Sequence, residues 1–166
     1  MKFRRLAIAG LLVGLIVSTM ADANQSDSSF TLGIKHGTHK SSLSPIDDGT
    51  GSGLMFGINF DDSISVEMDY LSASLDSAIA GQRFTTDIQS LAAYTVYRST
   101  APLYGFFKFG LLLEYVDNGV VADSDLGLSL GLGAGYRLTR NLGVELEYTR
   151  IETDVDFVGG SVRFSF

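Results

Sequence analysis

The sequence contains no cysteine and no tryptophan, and only 2 prolines in 166 residues. Without cysteine there is no disulfide scaffold, no thiolate metal site and no cysteine nucleophile. So few prolines exclude a proline-rich linker protein. Basic side chains are also scarce, 12 against 19 acids, for a formal charge of −7. A polyanion such as nucleic acid is therefore a poor partner. What is plentiful is apolar surface and glycine. Hydrophobic residues make up 45% of the chain, charged residues 19%, and there are 19 glycines. That composition is too apolar for a disordered chain, and the length suits one domain.

The first 23 residues read as a cleaved export signal. Lys2, Arg4 and Arg5 form a basic start, residues 6–17 an apolar run, and Ala21-Asp22-Ala23 a small-residue cleavage site. The run is shorter than a spanning helix needs. Cleavage before Asn24 removes three bases and the acid Asp22, which moves the charge from −7 to −9. The remaining residues 24–166 are expected to form a single β-barrel domain.

Strict alternation dominates that remainder, the mark of strands with two unlike faces. Over 126–138, Leu126, Leu128, Leu130, Leu132, Tyr136 and Leu138 share one face, while Gly127, Ser129, Gly131, Gly133, Gly135 and Arg137 share the other. Residues 29–37, 52–60, 64–70, 142–149 and 157–166 repeat the pattern. Residues 103–115 do so in part, with Lys108, Gly110 and Glu114 marking a polar side. Residues 84–98 form an eighth strand whose faces the alternation does not assign. Two strands share the pattern Val-Glu-x-acid-Tyr, at Val66 to Tyr70 and Val144 to Tyr148, which is read as one constraint acting twice. Tight polar turns near 60–63, 99–102 and 139–141 alternate with longer links near 38–51, 73–83, 116–125 and 152–156. This predicts an all-β, eight-stranded, antiparallel up-and-down barrel.

Which face points inward decides the class. Glycine weakens strands and gains nothing on a wetted outer surface. Inside a narrow barrel it relieves crowding. The glycine-rich face also carries both signs of charge: Lys35, Lys108, Arg137 and Arg163, with Glu67, Asp69, Glu114, Glu145 and Glu147. A closed lumen can pair these, and a buried unpaired charge is very costly. The apolar face, with aromatics near strand ends (Phe60, Tyr70, Tyr136, Tyr148), suits lipid and its interfaces. The expectation is a transmembrane barrel with these nine charges in its lumen. Lipid cannot hydrogen-bond backbone amides, so such a sheet must close on itself.

With these strands, the Leu103 to Gly110 stretch after Ser-Thr-Ala-Pro, and the terminal Val162-x-Phe164-x-Phe166, the chain resembles the small outer-membrane β-barrel family of OmpA- and OmpX-type proteins. The resemblance implies the bacterial outer membrane. It implies contact with membrane lipid and lipopolysaccharide, and recognition of Val162, Phe164 and Phe166 by the barrel-assembly machinery. It also implies a barrel without the periplasmic peptidoglycan-binding domain of some relatives. The barrel is expected to be a monomer that displays outer loops for adhesion, protection or envelope integrity, with a host or surface ligand as a candidate partner.

Candidate chemistry is sparse. His36 and His39 are the only histidines, and positions three apart on a strand face opposite sides, which fails a zinc site. His36 is read as an interfacial residue and His39 as a loop residue. No cofactor and no metal are expected. An enzyme alternative, of the kind that adds or removes acyl chains on lipid A, would use His36 or His39 as base with Asp76-Ser77. The missing tryptophan and the poor match of His39-Lys40-Ser41 to a compact His-x-Ser element count against it. Gly49-Thr50-Gly51-Ser52-Gly53 has neither the lysine nor the helix of a phosphate loop. Nine acids fall in the expected outer links: Asp47, Asp48, Asp76, Asp117, Asp123, Asp125, Glu152, Asp154 and Asp156. They are read as solvated loop ends, with cation bridging to lipopolysaccharide as the functional alternative. A small-solute pore is the remaining alternative, disfavoured because side chains fill an eight-stranded interior.

Overall fold

The computed structural model describes residues 29–41, 48–79, 82–117, 122–150 and 155–166. Eight strands follow in chain order: β1 (Ser29–Ser41), β2 (Gly49–Asn59), β3 (Ile64–Ile79), β4 (Gln82–Arg98), β5 (Leu103–Asp117), β6 (Ala122–Arg137), β7 (Leu142–Arg150) and β8 (Val155–Ser165). Each pairs antiparallel with its sequence neighbours, and β8 pairs with β1 to close the barrel. Closure leaves no open edge, as lipid demands. The expected export signal, residues 1–23, lies outside the described residues.

Three short turns share one rim. Asp61 accepts hydrogen bonds from the Ser63 and Ile64 amides, both at 2.7 Å. Thr139 Oγ1 accepts from the Asn141 and Leu142 amides. Both are side-chain-stabilised turns, which is why Asp and Thr stand there. The start of β1 and the end of β8 meet at the same rim. Phe30 and Phe166 exchange backbone hydrogen bonds at 2.9 Å, and their rings lie 6.2 Å apart. Val162, Phe164 and Phe166 thus point outward on the closing strand.

The opposite rim differs from expectation. The strands run several residues into the expected long links, so the links shorten. Asp76 lies in β3, Asp117 ends β5, Asp123 and Asp125 lie in β6, and Asp156 lies in β8. Only Asp48 of the nine is a described residue outside a strand, just before β2, while Asp47, Glu152 and Asp154 lie outside the described residues. Backbone pairing continues here because a hairpin gains a hydrogen bond per residue pair whether or not lipid surrounds it.

The leucine face is outside. Leu128 and Leu146 are 71% and 73% exposed, whereas Glu67, Lys108 and Thr31 are at most 2% exposed. The strand without a clear alternation follows the same rule. Ile88, Ser90, Ala92, Tyr94, Val96 and Arg98 of β4 point inward. The inner wall therefore mixes ions, hydroxyls and large apolar groups, and its glycines face the bulk. A Cβ on Gly135 would stand 2.5 Å from the Tyr104 ring, and one on Gly131 would stand 2.6 Å from Lys108 Cε.

Candidate functional site

The lumen contains two tiers of ions, built from the repeated pattern. Val-Glu-x-acid-Tyr places two acids on the inner side of one strand, since positions two apart share a face. On β3 these are Glu67 and Asp69; on β7 they are Glu145 and Glu147. β3 and β7 are four strands apart in a ring of eight, so the acids face each other across the lumen. The bases come from the walls between them.

In the tier nearer the turn rim, Arg98 of β4 joins the two acidic walls. Its Nη1 lies 2.8 Å from Glu67 Oε1 and its Nε lies 2.8 Å from Glu145 Oε1. Arg163 of β8 adds a 2.9 Å pair to Glu145, and Tyr104 donates its hydroxyl to the same carboxylate at 2.8 Å. In the middle tier, Lys35 Nζ of β1 lies 2.6 Å from Asp69 and 2.7 Å from Glu147. Lys108 of β5 reaches the same two carboxylates at 3.1 and 2.8 Å, and its ammonium stands 4.4 Å from the centre of the Tyr94 ring. Each tier holds two positive and two negative groups. Neutrality within each tier matters, because at this depth an unmatched charge has no water to solvate it.

The sequence expectation for this network needs two corrections. Arg137 does not join it. Its guanidinium donates to the carbonyls of Ser99, Thr100 and Ala101 and lies over the Tyr104 ring, so it clamps a turn at the rim. Arg98 joins instead, and sequence reasoning misses it because β4 alternates poorly. A parity count through the 99–102 turn, which puts Arg98 opposite Phe106 on the face of Lys108, would have found it. Glu114 is buried on the inner wall of β5, further toward the other rim, and lies outside both tiers.

Beyond the middle tier the lumen is capped by Leu71, Ala92, Leu112 and Phe157. His39 belongs to this cap. It is not a loop residue: it is 1% exposed on the inner wall, its ring 5.2 Å from that of Phe157. His36 points the other way, and its Nδ1 shares a 2.9 Å hydrogen bond with Ser52 on the outer surface. The two histidines thus stand on opposite sides of the wall. Asp76 and Ser77 pair with Thr85 and Phe84 of β4, past the end of β2. Their side chains lie outside the described residues. Gly49 to Gly53 lie within β2 as ordinary strand.

Known proteins agree with this architecture. Residues 7–165 match the family model of the outer membrane protein beta-barrel domain. Among curated proteins none matches the chain in sequence. Neisserial surface protein A superposes with a TM-score of 0.64 at 20% identity, covering 85% of this chain and 98% of that one. A major outer membrane protein from Thermus thermophilus superposes at 0.60 with 12% identity, covering 85% and 100%. OprG from Pseudomonas aeruginosa does so at 0.55 with 12% identity, covering 82% and 95%. A closed eight-stranded barrel, apolar outside and ion-packed within, that matches this model over nearly its whole length belongs to the outer membrane protein beta-barrel domain family, and its place is the bacterial outer membrane.

Proposed function

We propose that the protein is a sealed structural barrel of the outer membrane. It contributes to envelope integrity and displays its outer links to the surroundings. It works without a solute pathway and without catalysis. The observation that carries this is the pair of neutral ion tiers spanning the lumen from wall to wall. A conducting pore needs a continuous water column. Here Lys108, Glu67 and Glu145 are at most 3% exposed, and large apolar side chains close the lumen above them. In barrels of this kind the short turns face the periplasm and the longer links face outward. The polar recess of about 170 Å³ at the turn rim, lined by Arg98, Asn59 and Arg163 among others, is then a periplasmic vestibule that ends at the first tier.

Lipid and lipopolysaccharide are its permanent surroundings, and the assembly machinery its partner during insertion. Any host or surface ligand would meet the outer links.

Reconstituted in a planar bilayer, the purified monomer should give no steps above those of the empty membrane. Stable single-channel currents would overturn the sealed reading. A deletion strain should become more sensitive to detergent and keep an unchanged lipid A mass spectrum. A changed spectrum would establish the lipid A-modifying alternative instead.

A further inference from the structure

The apolar belt has unequal height around the barrel. On β6 the outward positions from Tyr136 to Leu126 are all apolar, ten steps along the strand. At roughly 3.3 Å per step and a tilt of about 40°, that is about 25 Å, a full outer-membrane belt. On β1 the outward run is only Phe30, Leu32 and Ile34, followed by His36, Thr38 and Lys40. That run is about 10 Å tall by the same rule. On β2 it is Ile58, Phe56 and Leu54, followed by Ser52 and Thr50.

The polar positions adjoin one another, interrupted by the outward Val158 of β8 opposite Thr38. His36 stands opposite Ser52 on β2 and Gly160 on β8, and Ser52 stands opposite Ser72 on β3. Gly160 and Ser52 leave a depression of about 740 Å³ between Leu54, Leu146 and Val162, lined in part by the hydrogen-bonded His36 and Ser52. Further out, Arg150, Asp156 and Lys40 follow in register across β7, β8 and β1, and Asp48 precedes β2 beside them. This row alternates in sign, and Arg150 Nε lies 3.3 Å from Asp156.

Acyl chains offer these groups no hydrogen bonds, and exposing them to hydrocarbon would be costly. We infer that the outer half of the β8–β1–β2 wall binds the headgroup layer of the outer leaflet, which descends onto it. A lean of the barrel axis and a local dip of the leaflet both bring headgroups there, and each costs only fractions of a kcal/mol per Å of mismatch. The alternating row suits headgroups that carry both phosphate and amine. The β5–β6 wall, leucine-faced to its outer end, holds the leaflet at full thickness. The barrel is thus a wedge that breaks the symmetry of its lipid surroundings.

The absence of cysteine makes single labels clean. Thr38→Cys, Leu128→Cys and Ile34→Cys would each carry a nitroxide, in phosphatidylethanolamine–phosphatidylglycerol vesicles. Heat-modifiable mobility would show that each variant folds. Thr38 and Leu128 each lie eight residues from the first outward apolar residue of their strand, so a uniform belt would shield them alike. The wedge predicts several-fold greater access of a water-soluble relaxation agent at position 38 than at 128. Position 34 should be as shielded as 128. Equal shielding at 38 and 128 would overturn the inference. So would a disulfide-linked dimer of unlabelled Thr38→Cys, which would mean that a second copy covers the wall.

Discussion

From the turn rim to mid-barrel, the lumen holds eight charged side chains in two neutral tiers, with Val96, Tyr104 and Phe106 packed beside them. Beyond it the described inner wall is mostly apolar, with Leu71, Ala92, Leu112 and Phe157 beside the buried His39 and one buried acid, Glu114. Both halves are closely packed, by different physics. The ionic half is stiff in what it tolerates, since each carboxylate serves two bases and loss of one member leaves the others uncompensated. The apolar half depends on filled volume, and a lost methyl group there costs transfer free energy and cavity. The lesson is that the inside of a narrow barrel can be packed with charge as well as with oil, provided each charged layer sums to zero.

Three substitutions test that contrast, each read as the urea midpoint of far-UV circular dichroism in vesicles. Glu145→Ala should be the most damaging, at about 3–5 kcal/mol, because it leaves Arg98 and Arg163 with Glu67 as the one acid of the first tier and removes the acceptor of Tyr104. Leu112→Ala, in the apolar cap, should cost about 2–3 kcal/mol, since only packing is lost. If Leu112→Ala proved worse than Glu145→Ala, the ionic half would not be the less tolerant one. Tyr94→Phe, at the join of the two halves, should cost about 1 kcal/mol. It removes a 2.9 Å hydrogen bond to Ser129, which keeps the Arg150 carbonyl as acceptor, and it leaves the ring beneath Lys108.

The candidate site was partly legible in advance. Alternation placed Lys35, Glu67, Asp69, Lys108, Glu145, Glu147 and Arg163 on one face, because a strand has only two. It placed Arg137 there too, and a strand end is where that rule misleads: the side chain turned to the carbonyls of its own rim. Arg98 was hidden by neighbours such as Ala92 and Ala93, which suit either face. His39 looked like a loop residue because the outward extension of β1 depends on pairing with β8 and β2, and no local pattern announces that.

The order of apolar and polar residues by itself determined the barrel class, the strand count and the outward side of the sheet. Those follow from a period of two and from the refusal of lipid to bond an amide. Closure decided the rest. Only when β8 meets β1 do β3 and β7 stand opposite each other, so that two short acidic patterns far apart in the chain share the same four bases. The uneven belt is also a property of the closed cylinder, since unequal apolar runs become one lopsided surface only when the strands stand side by side.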